Sequence, residues 1–239
     1  RWQLDMEAIE HEAKTGLRLL IITNPNNPTG AVATKEELRK LVALANQYGF
    51  WILSDETYHF LTYGEDAVSL LDFWNECDRL ITVRSFSKEY AMTGWRVGYV
   101  VARPEAIAIF AKTHDALVGC ASKITQVAAL AAITGPQMIV ADYQKQYTKL
   151  RQVTLEMLQG VKNISFIPPQ GAYYLFIKYP KNLPSLIYAE DILDKANVAV
   201  VPGSVFGAAG EGHIRISFAA DEKFLIDGIV RLIRYFNHR

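Results

Sequence analysis

Short unbroken apolar runs, rather than alternating ones, mark the first half of the chain: Leu19-Leu20-Ile21-Ile22, Phe50-Trp51-Ile52-Leu53 and Leu80-Ile81-Thr82-Val83. A strand covered on both faces has no polar side to alternate with, so such runs predict neighbouring strands of a parallel sheet. Between the first two, Leu38, Leu41, Val42 and Ala45 recur at helical spacing. Thr34 stands three residues ahead of Glu37, the separation at which a hydroxyl and a carboxylate close a first helical turn reciprocally. Strand, helix and strand make a βαβ unit. A looser segment, 68–78, precedes the third run, and 97–101 is a candidate fourth strand. The short, Ala-rich stretch 126–134 reads as a buried helix, and nowhere do apolar residues run to the ~18 that a membrane span needs.

The second half has a different rhythm. From 136 to about 160, the spacing of Ile139, Tyr143, Tyr147, Leu150, Val153, Leu155 and Leu158 predicts one long amphipathic helix of the kind that bridges domains. Beyond it, 164–167, 172–178, 198–201 and 213–218 read as strands, with helices near 186–196 and 222–235. The pattern is therefore α/β in the first half and α+β in the tail, with no internal repeat or low-complexity segment.

Composition narrows the ligand. With 50% hydrophobic and 21% charged residues among 239, a packed core is expected and disorder is excluded as the main state. Lys and Arg number 25 against 25 Asp and Glu, so no basic footprint for nucleic acid or an anionic membrane exists and a small-molecule ligand is expected. Two cysteines, Cys77 and Cys120, are too few for a disulfide scaffold and suit a reducing, cytoplasmic setting in structural roles. The first residues, Arg1-Trp2-Gln3-Leu4-Asp5, carry neither an initiator Met nor a signal-peptide pattern, so the chain is expected to begin inside a longer gene product.

Unusual polar segments follow each of the three central runs: Asn24-Pro25-Asn26-Asn27-Pro28-Thr29-Gly30, Asp55-Glu56-Thr57-Tyr58 and Ser85-Phe86-Ser87-Lys88. Ligands of open parallel sheets bind at the carboxyl ends of strands, so the three segments are expected to feed one crevice. Taken singly, each has a plain reading: a Pro-rich turn, a helix-capping aspartate, a solvated lysine. Together they look like one site. A pyridine cofactor needs an amine to form an imine, an acid to keep the ring nitrogen protonated, and donors for a phosphate dianion.

Asn27-Pro28-Thr29-Gly30, Asp55-Glu56-Thr57-Tyr58, Ser85-Phe86-Ser87-Lys88 and Ala91-Met92-Thr93-Gly94-Trp95-Arg96-Val97-Gly98-Tyr99 resemble, in order, the motifs of the class I/II aminotransferases, pyridoxal 5'-phosphate enzymes of fold type I. Gln170-Gly171-Ala172-Tyr173-Tyr174, Val201-Pro202-Gly203-Ser204-Val205-Phe206-Gly207 and Arg215-Ile216-Ser217-Phe218 continue the resemblance, which covers nearly the whole chain. It implies a three-layer, mostly parallel α/β sheet. Residues 1–143 would be the C-terminal part of a cofactor-binding large domain, and 144–239 a smaller α+β domain reached through the long helix.

The resemblance also implies roles. Lys88 would carry the cofactor as a Schiff base and then act as the base and acid that move the proton. Asp55 would pair with the pyridinium nitrogen, an opposite charge at contact typically favouring the charged form by about 1–3 pKa units. Tyr58 and Asn27 would hydrogen-bond the ring's phenolic oxygen. Ser85, Ser87 and Arg96 would hold the phosphate, Arg96 as a forked donor. Arg215, with Asn27, would bind the substrate α-carboxylate, and His59, Tyr63 and Tyr174 are side chains available to the rest of the substrate. The implied activity is amino-group transfer between an amino acid and a 2-oxo acid, by a homodimer when full length.

Rival readings are a carbon–sulfur lyase sharing the cofactor, from which Thr93-Gly94-Trp95-Arg96 departs, and the cofactor-sensing domain of a transcriptional regulator. Five histidines at least 25 residues apart offer no helical metal-ligand pair, and no G-x-S-x-G, Walker or G-x-G-x-x-G sequence occurs. Family members run longer, and the glycine-containing phosphate loop and the aromatic residue stacked on the ring fall outside this chain. Weak cofactor binding or a lysine adduct without efficient turnover is therefore expected of this polypeptide alone.

Overall fold

The computed structural model describes residues 2–180 and 183–237. In chain order the elements are α1 (Met6–Lys14), β1 (Leu19–Thr23), α2 (Lys35–Tyr48), β2 (Trp51–Asp55), β3 (Leu80–Ser85), α3 (Phe86–Glu89), β4 (Gly98–Ala102), α4 (Pro104–Leu117), α5 (Lys123–Thr134) and α6 (Met138–Leu158). There follow β5 (Ser165–Phe166), β6 (Tyr174–Lys178), α7 (Ser185–Ala196), β7 (Val201–Pro202), β8 (His213–Ser217) and α8 (Glu222–Asn237). The backbone clusters into two units, one of Gln3–Asn26 and Val32–Asp142, the other of Arg1–Trp2, Asn27–Ala31 and Tyr143–Arg239.

In the N-terminal unit the three apolar runs become β1, β2 and β3, paired in parallel, with β4 antiparallel at the edge in the order β1-β2-β3-β4. The crossover helix α2 forms where its signals predict. Thr34 Oγ1 accepts from the Glu37 N–H at 3.2 Å while the Glu37 carboxylate accepts from the Thr34 N–H at 2.8 Å, and Gly49, at φ 79°, turns the chain out after the last turn. Its inner face, Leu38, Leu41, Val42 and Ala45, is buried with Phe50, Ile52, Leu70, Phe73 and Leu80. Between β3 and β4, Gly98 lies so close to its neighbour that a Cβ would stand 2.6 Å from the Arg84 carbonyl.

Two apolar segments depart from expectation. β1 is not covered on both faces: Ile22 joins the core, but Leu19 and Ile21, pointing the other way, are exposed. The stretch 126–134 is helical within α5, yet it is not a buried helix. Only Thr125 and Ala129 are buried, Ala129 against the Phe86 and Met92 cluster, while Ile124, Val127, Leu130 and Ile133 are exposed. An Ala-rich helix that is apolar all round names no inner face, so its composition could not say how much of it would be covered.

The C-terminal unit contains most of α6, whose 21 residues fall inside the expected 136–160 helix. Its sheet, in the order β5-β6-β8-β7, is antiparallel throughout. Helix α8 buries Leu225, Ile229, Leu232, Tyr235 and Phe236. The strands are shorter than the hydrophobic runs suggest, for local reasons. Ala172 takes the left-handed conformation, φ 55°, and delays β6 to Tyr174; Pro168-Pro169 comes close behind β5, and Pro202 closes β7. Asn27–Ala31 belongs to this unit through Gly30, whose carbonyl accepts from the Gln170 and Gly171 N–H groups at 2.7 and 2.9 Å. Gly30 has φ +68°, and a Cβ there would lie 2.3 Å from that of Pro169, so no other residue fits without displacement.

Among the described residues no single helix is long and apolar enough to cross a membrane. Cys77 is buried, Cys120 exposed, and both are free thiols. Truncating Leu41 to Ala is expected to cost about 2–5 kcal/mol of stability by opening a cavity, and Thr34→Ala about 1 kcal/mol by uncapping α2. Urea unfolding checks both, and a Thr34→Ala loss as large as that of Leu41→Ala would contradict a purely capping role.

Candidate functional site

The parallel register sets where the polar segments emerge. Thr23 lies opposite Asp55 and Asp55 opposite Val83, so β1, β2 and β3 deliver the polar segments beyond them at one end of the sheet. Asp55 is the last residue of β2. Its Oδ1 accepts from the Thr57 N–H at 3.0 Å and the Thr57 hydroxyl at 2.6 Å, which fixes the carboxylate, while Oδ2 has no hydrogen-bond partner among the described residues. Tyr58, a turn further on, is buried.

Strand β3 ends at Ser85, whose hydroxyl accepts from the Ser87 N–H at 3.1 Å and starts the single turn of α3 that carries Lys88. Lys88 is partly buried, and no hydrogen bond or ion pair engages its amine among the described residues. Ser87 is buried beside it. The link to β4 contains two left-handed non-glycine residues, Ala91 at φ 54° and Arg96 at φ 51°. Such conformations typically cost about 1–3 kcal/mol and cluster at functional sites. One guanidinium nitrogen of Arg96 donates to the Thr93 carbonyl at 2.9 Å; its other donors have no protein acceptor among the described residues.

The two remaining predicted residues lie together in the C-terminal unit. Arg215, on β8, donates from Nη1 to the Asn27 side-chain oxygen at 2.8 Å. Its guanidinium lies 4.3 Å from the Tyr174 ring centre and 5.1 Å from that of Phe206, and its Nε is buried with no acceptor. It is a half-buried cation against two aromatic rings, and its buried, open Nε donor calls for an acceptor such as an anion. Asn27 keeps its side-chain NH2 as a donor.

One group that the sequence does not announce is the partner set of Glu56. The carboxylate is fully buried and accepts from the Ser69 hydroxyl (2.8 and 3.0 Å), the Leu70 N–H (2.8 Å) and Arg84 Nε and Nη2 (3.2 and 2.9 Å). Burial works against the Arg84 charge, but the hydrogen bond and charge of Glu56 outweigh it, and the guanidinium pKa is raised. His59 Nδ1 lies 3.9 Å from the same carboxylate, buried and without a hydrogen-bond partner. The only signal in the sequence is Arg84, a charged residue within an otherwise apolar strand run, which demands a buried counter-charge.

These residues fit pyridoxal 5'-phosphate. An amine with no competing partner, a carboxylate anchored through one oxygen with the other open, and a guanidinium with spare donors are the groups that a carbonyl, a pyridinium nitrogen and a phosphate dianion require. Among the described residues no cluster of His, Cys, Asp and Glu could hold a metal ion.

Comparisons with known proteins show the family and the fold. The family model described as aminotransferase class I and II matches residues 1–231. A probable aspartate/prephenate aminotransferase of Aquifex aeolicus is 35% identical over 97% of this chain and 60% of its own length. The Pyrococcus furiosus alanine aminotransferase superposes with a TM-score of 0.89 at 31% identity, over 100% of this chain and 62% of that one. A Thermus thermophilus aspartate aminotransferase double mutant gives 0.90 at 33%, over 97% and 60%. The chain belongs to the class I and II aminotransferase family and has its mostly parallel α/β fold, with part of the large domain present. It spans about 60% of the length of these relatives.

Burial first, and the Arg84 charge second, lower the His59 pKa against the opposing pull of Glu56, Asp72 and Asp66. The folded chain therefore holds His59 neutral while the unfolded chain takes up a proton near pH ~6.5. Stability from this group is present above that pH and is lost as the pH falls through it. In His59→Gln the fall in urea midpoint between pH ~7.5 and ~5.5 is expected to shrink; an unchanged slope would contradict the assignment.

Proposed function

We propose that this chain carries the amino-group transfer chemistry of its family, exchanging an amino group between an α-amino acid and a 2-oxo acid in two half-reactions. The observation that carries the reading is the unengaged Lys88 amine one strand away from the half-engaged carboxylate of Asp55. The family description and the relatives' names, all aminotransferases, favour transfer over a lyase or a sensing domain.

When bound, pyridoxal 5'-phosphate supplies the electron sink that lets an amino acid lose its Cα proton. Lys88 would hold it covalently and, once displaced by a substrate amine, would act as the base and acid that move the substrate's Cα proton. Asp55 would keep the ring nitrogen protonated. Tyr58 would donate to the phenolic oxygen, and by the family resemblance Asn27 would as well. Ser85 and Ser87 would give single hydrogen bonds to the phosphate and Arg96 a forked pair. Arg215 binds the α-carboxylate, oriented by the Asn27 oxygen and stacked on Tyr174. The reading carries with it a homodimer and a cytoplasmic location, both drawn from the family resemblance.

Purified chain mixed with pyridoxal phosphate and reduced with borohydride is expected to gain a pyridoxyl group on the Lys88 peptide. The gain should vanish in Lys88→Ala; equal labelling of that variant at other lysines would defeat the proposal. A panel of amino donors then reads transfer by the 2-oxo acid released. Arg215→Gln is expected to raise KM for any donor bearing an α-carboxylate about ten- to a hundredfold, the worth of one charged hydrogen-bond pair. An unchanged KM would remove Arg215 from the site.

A further inference from the structure

The candidate cofactor groups of the N-terminal unit come from two strands: Asp55 and Tyr58 from the end of β2, Ser85, Ser87 and Lys88 from the end of β3. Backbone pairing of these strands runs only to Asp55 and Val83, with one further bond from the Glu56 N–H to the Val83 carbonyl at 2.8 Å. Beyond that point the two segments are joined by side chains. Glu56 is the residue immediately after Asp55; Arg84 immediately precedes Ser85. Their link is two-pronged, Nε and Nη2 both reaching Oε2, and Ser69 closes it by donating to the same carboxylate while accepting from Arg84 Nη2 at 3.3 Å.

We infer that Glu56 and Arg84 are positioning residues, a buried tether that holds the Asp55 and Lys88 segments in fixed register so that both address one ring. The inference rests on the function proposed above, but its geometry does not. A fully buried carboxylate satisfied by a hydroxyl, a backbone N–H and a forked guanidinium admits little rotation, since any shift of one strand end against the other strands its charge without donors. Each partner lies one residue from a reacting or cofactor-holding group, so a slip of the tether is passed on through a single peptide.

The test compares Glu56→Gln, Arg84→Met and the double variant with the parent chain. The first readout is the pH midpoint of the absorbance of the Lys88–pyridoxal phosphate adduct. A misplaced Asp55 holds the ring-nitrogen proton less well, and a ring that has lost its positive charge lets the lysine nitrogen keep its proton to higher pH. The tether therefore predicts that the midpoint rises in both single variants, by about one pH unit, and no further in the double variant. Charge acting through space predicts opposite signs: removing Arg84 raises the midpoint, whereas removing the Glu56 charge lowers it. A fall in Glu56→Gln, an additive double variant, or less adduct at an unchanged midpoint overturns the inference.

The second readout is amide hydrogen exchange of the cofactor-free chain. Either single substitution is expected to speed exchange about tenfold at both 55–58 and 85–88 while leaving α2 protected. Acceleration at one segment alone, at neither, or throughout the unit overturns it. If the parent chain forms no adduct, the functional reading fails and exchange alone decides the tether.

Discussion

Thr23, Asp55 and Val83 stand abreast in three parallel strands, and the chemistry of this chain depends on that register. Parallel strands joined by crossovers all point the same way, so the segment after each strand emerges at the same end, whatever the distance between them in sequence. Helix α2, capped reciprocally by Thr34 and Glu37, makes the first crossover and buries the face on which β1 and β2 rest. The sheet thereby brings an aspartate and a lysine 33 positions apart in the sequence to the same end of two adjacent strands.

The unit also separates two kinds of charge. Structural carboxylates are saturated: Glu56 by Ser69, Leu70 and Arg84, and in the C-terminal unit Glu211 by the Ser185 N–H and hydroxyl, the Gly212 N–H and the Tyr179 hydroxyl. Burial, and then the Glu211 charge, push the Tyr179 hydroxyl up to about 12, so that it stays a donor at any physiological pH. The groups assigned to chemistry are left open instead: the Lys88 amine, one oxygen of Asp55 and the buried Nε of Arg215. An open donor or acceptor costs stability as it is buried, and at these three residues a ligand of matching chemistry would supply the missing partner.

Much of the fold was legible in the sequence because its strongest signals were local. Unbroken apolar runs gave β1, β2 and β3, and the Thr34–Glu37 spacing gave the start of α2 to the residue. Polar residues beyond each run located the candidate site through strand polarity alone, and the family motifs supplied the roles. The features that were not legible depended on partners distant in sequence. The run at 126–134 is apolar all round and could not say which side would be covered. Glu56 stands inside a recognised motif, but its donors come from 69–70 and from β3, and no local pattern links them. Pairing of Arg215 with Asn27 spans 188 positions and was visible only as two separate residues of a family pattern.

The central claim is that Asp55 and Lys88 meet across a single pyridine ring at the rim of this sheet, and nitrogen NMR of the chain loaded with ring-15N pyridoxal phosphate tests it most directly. The account predicts a protonated ring nitrogen in the parent chain and a deprotonated one in Asp55→Ala, with the cofactor still covalently attached at Lys88 in both. The same protonation state in both proteins, or attachment at another lysine, would contradict it.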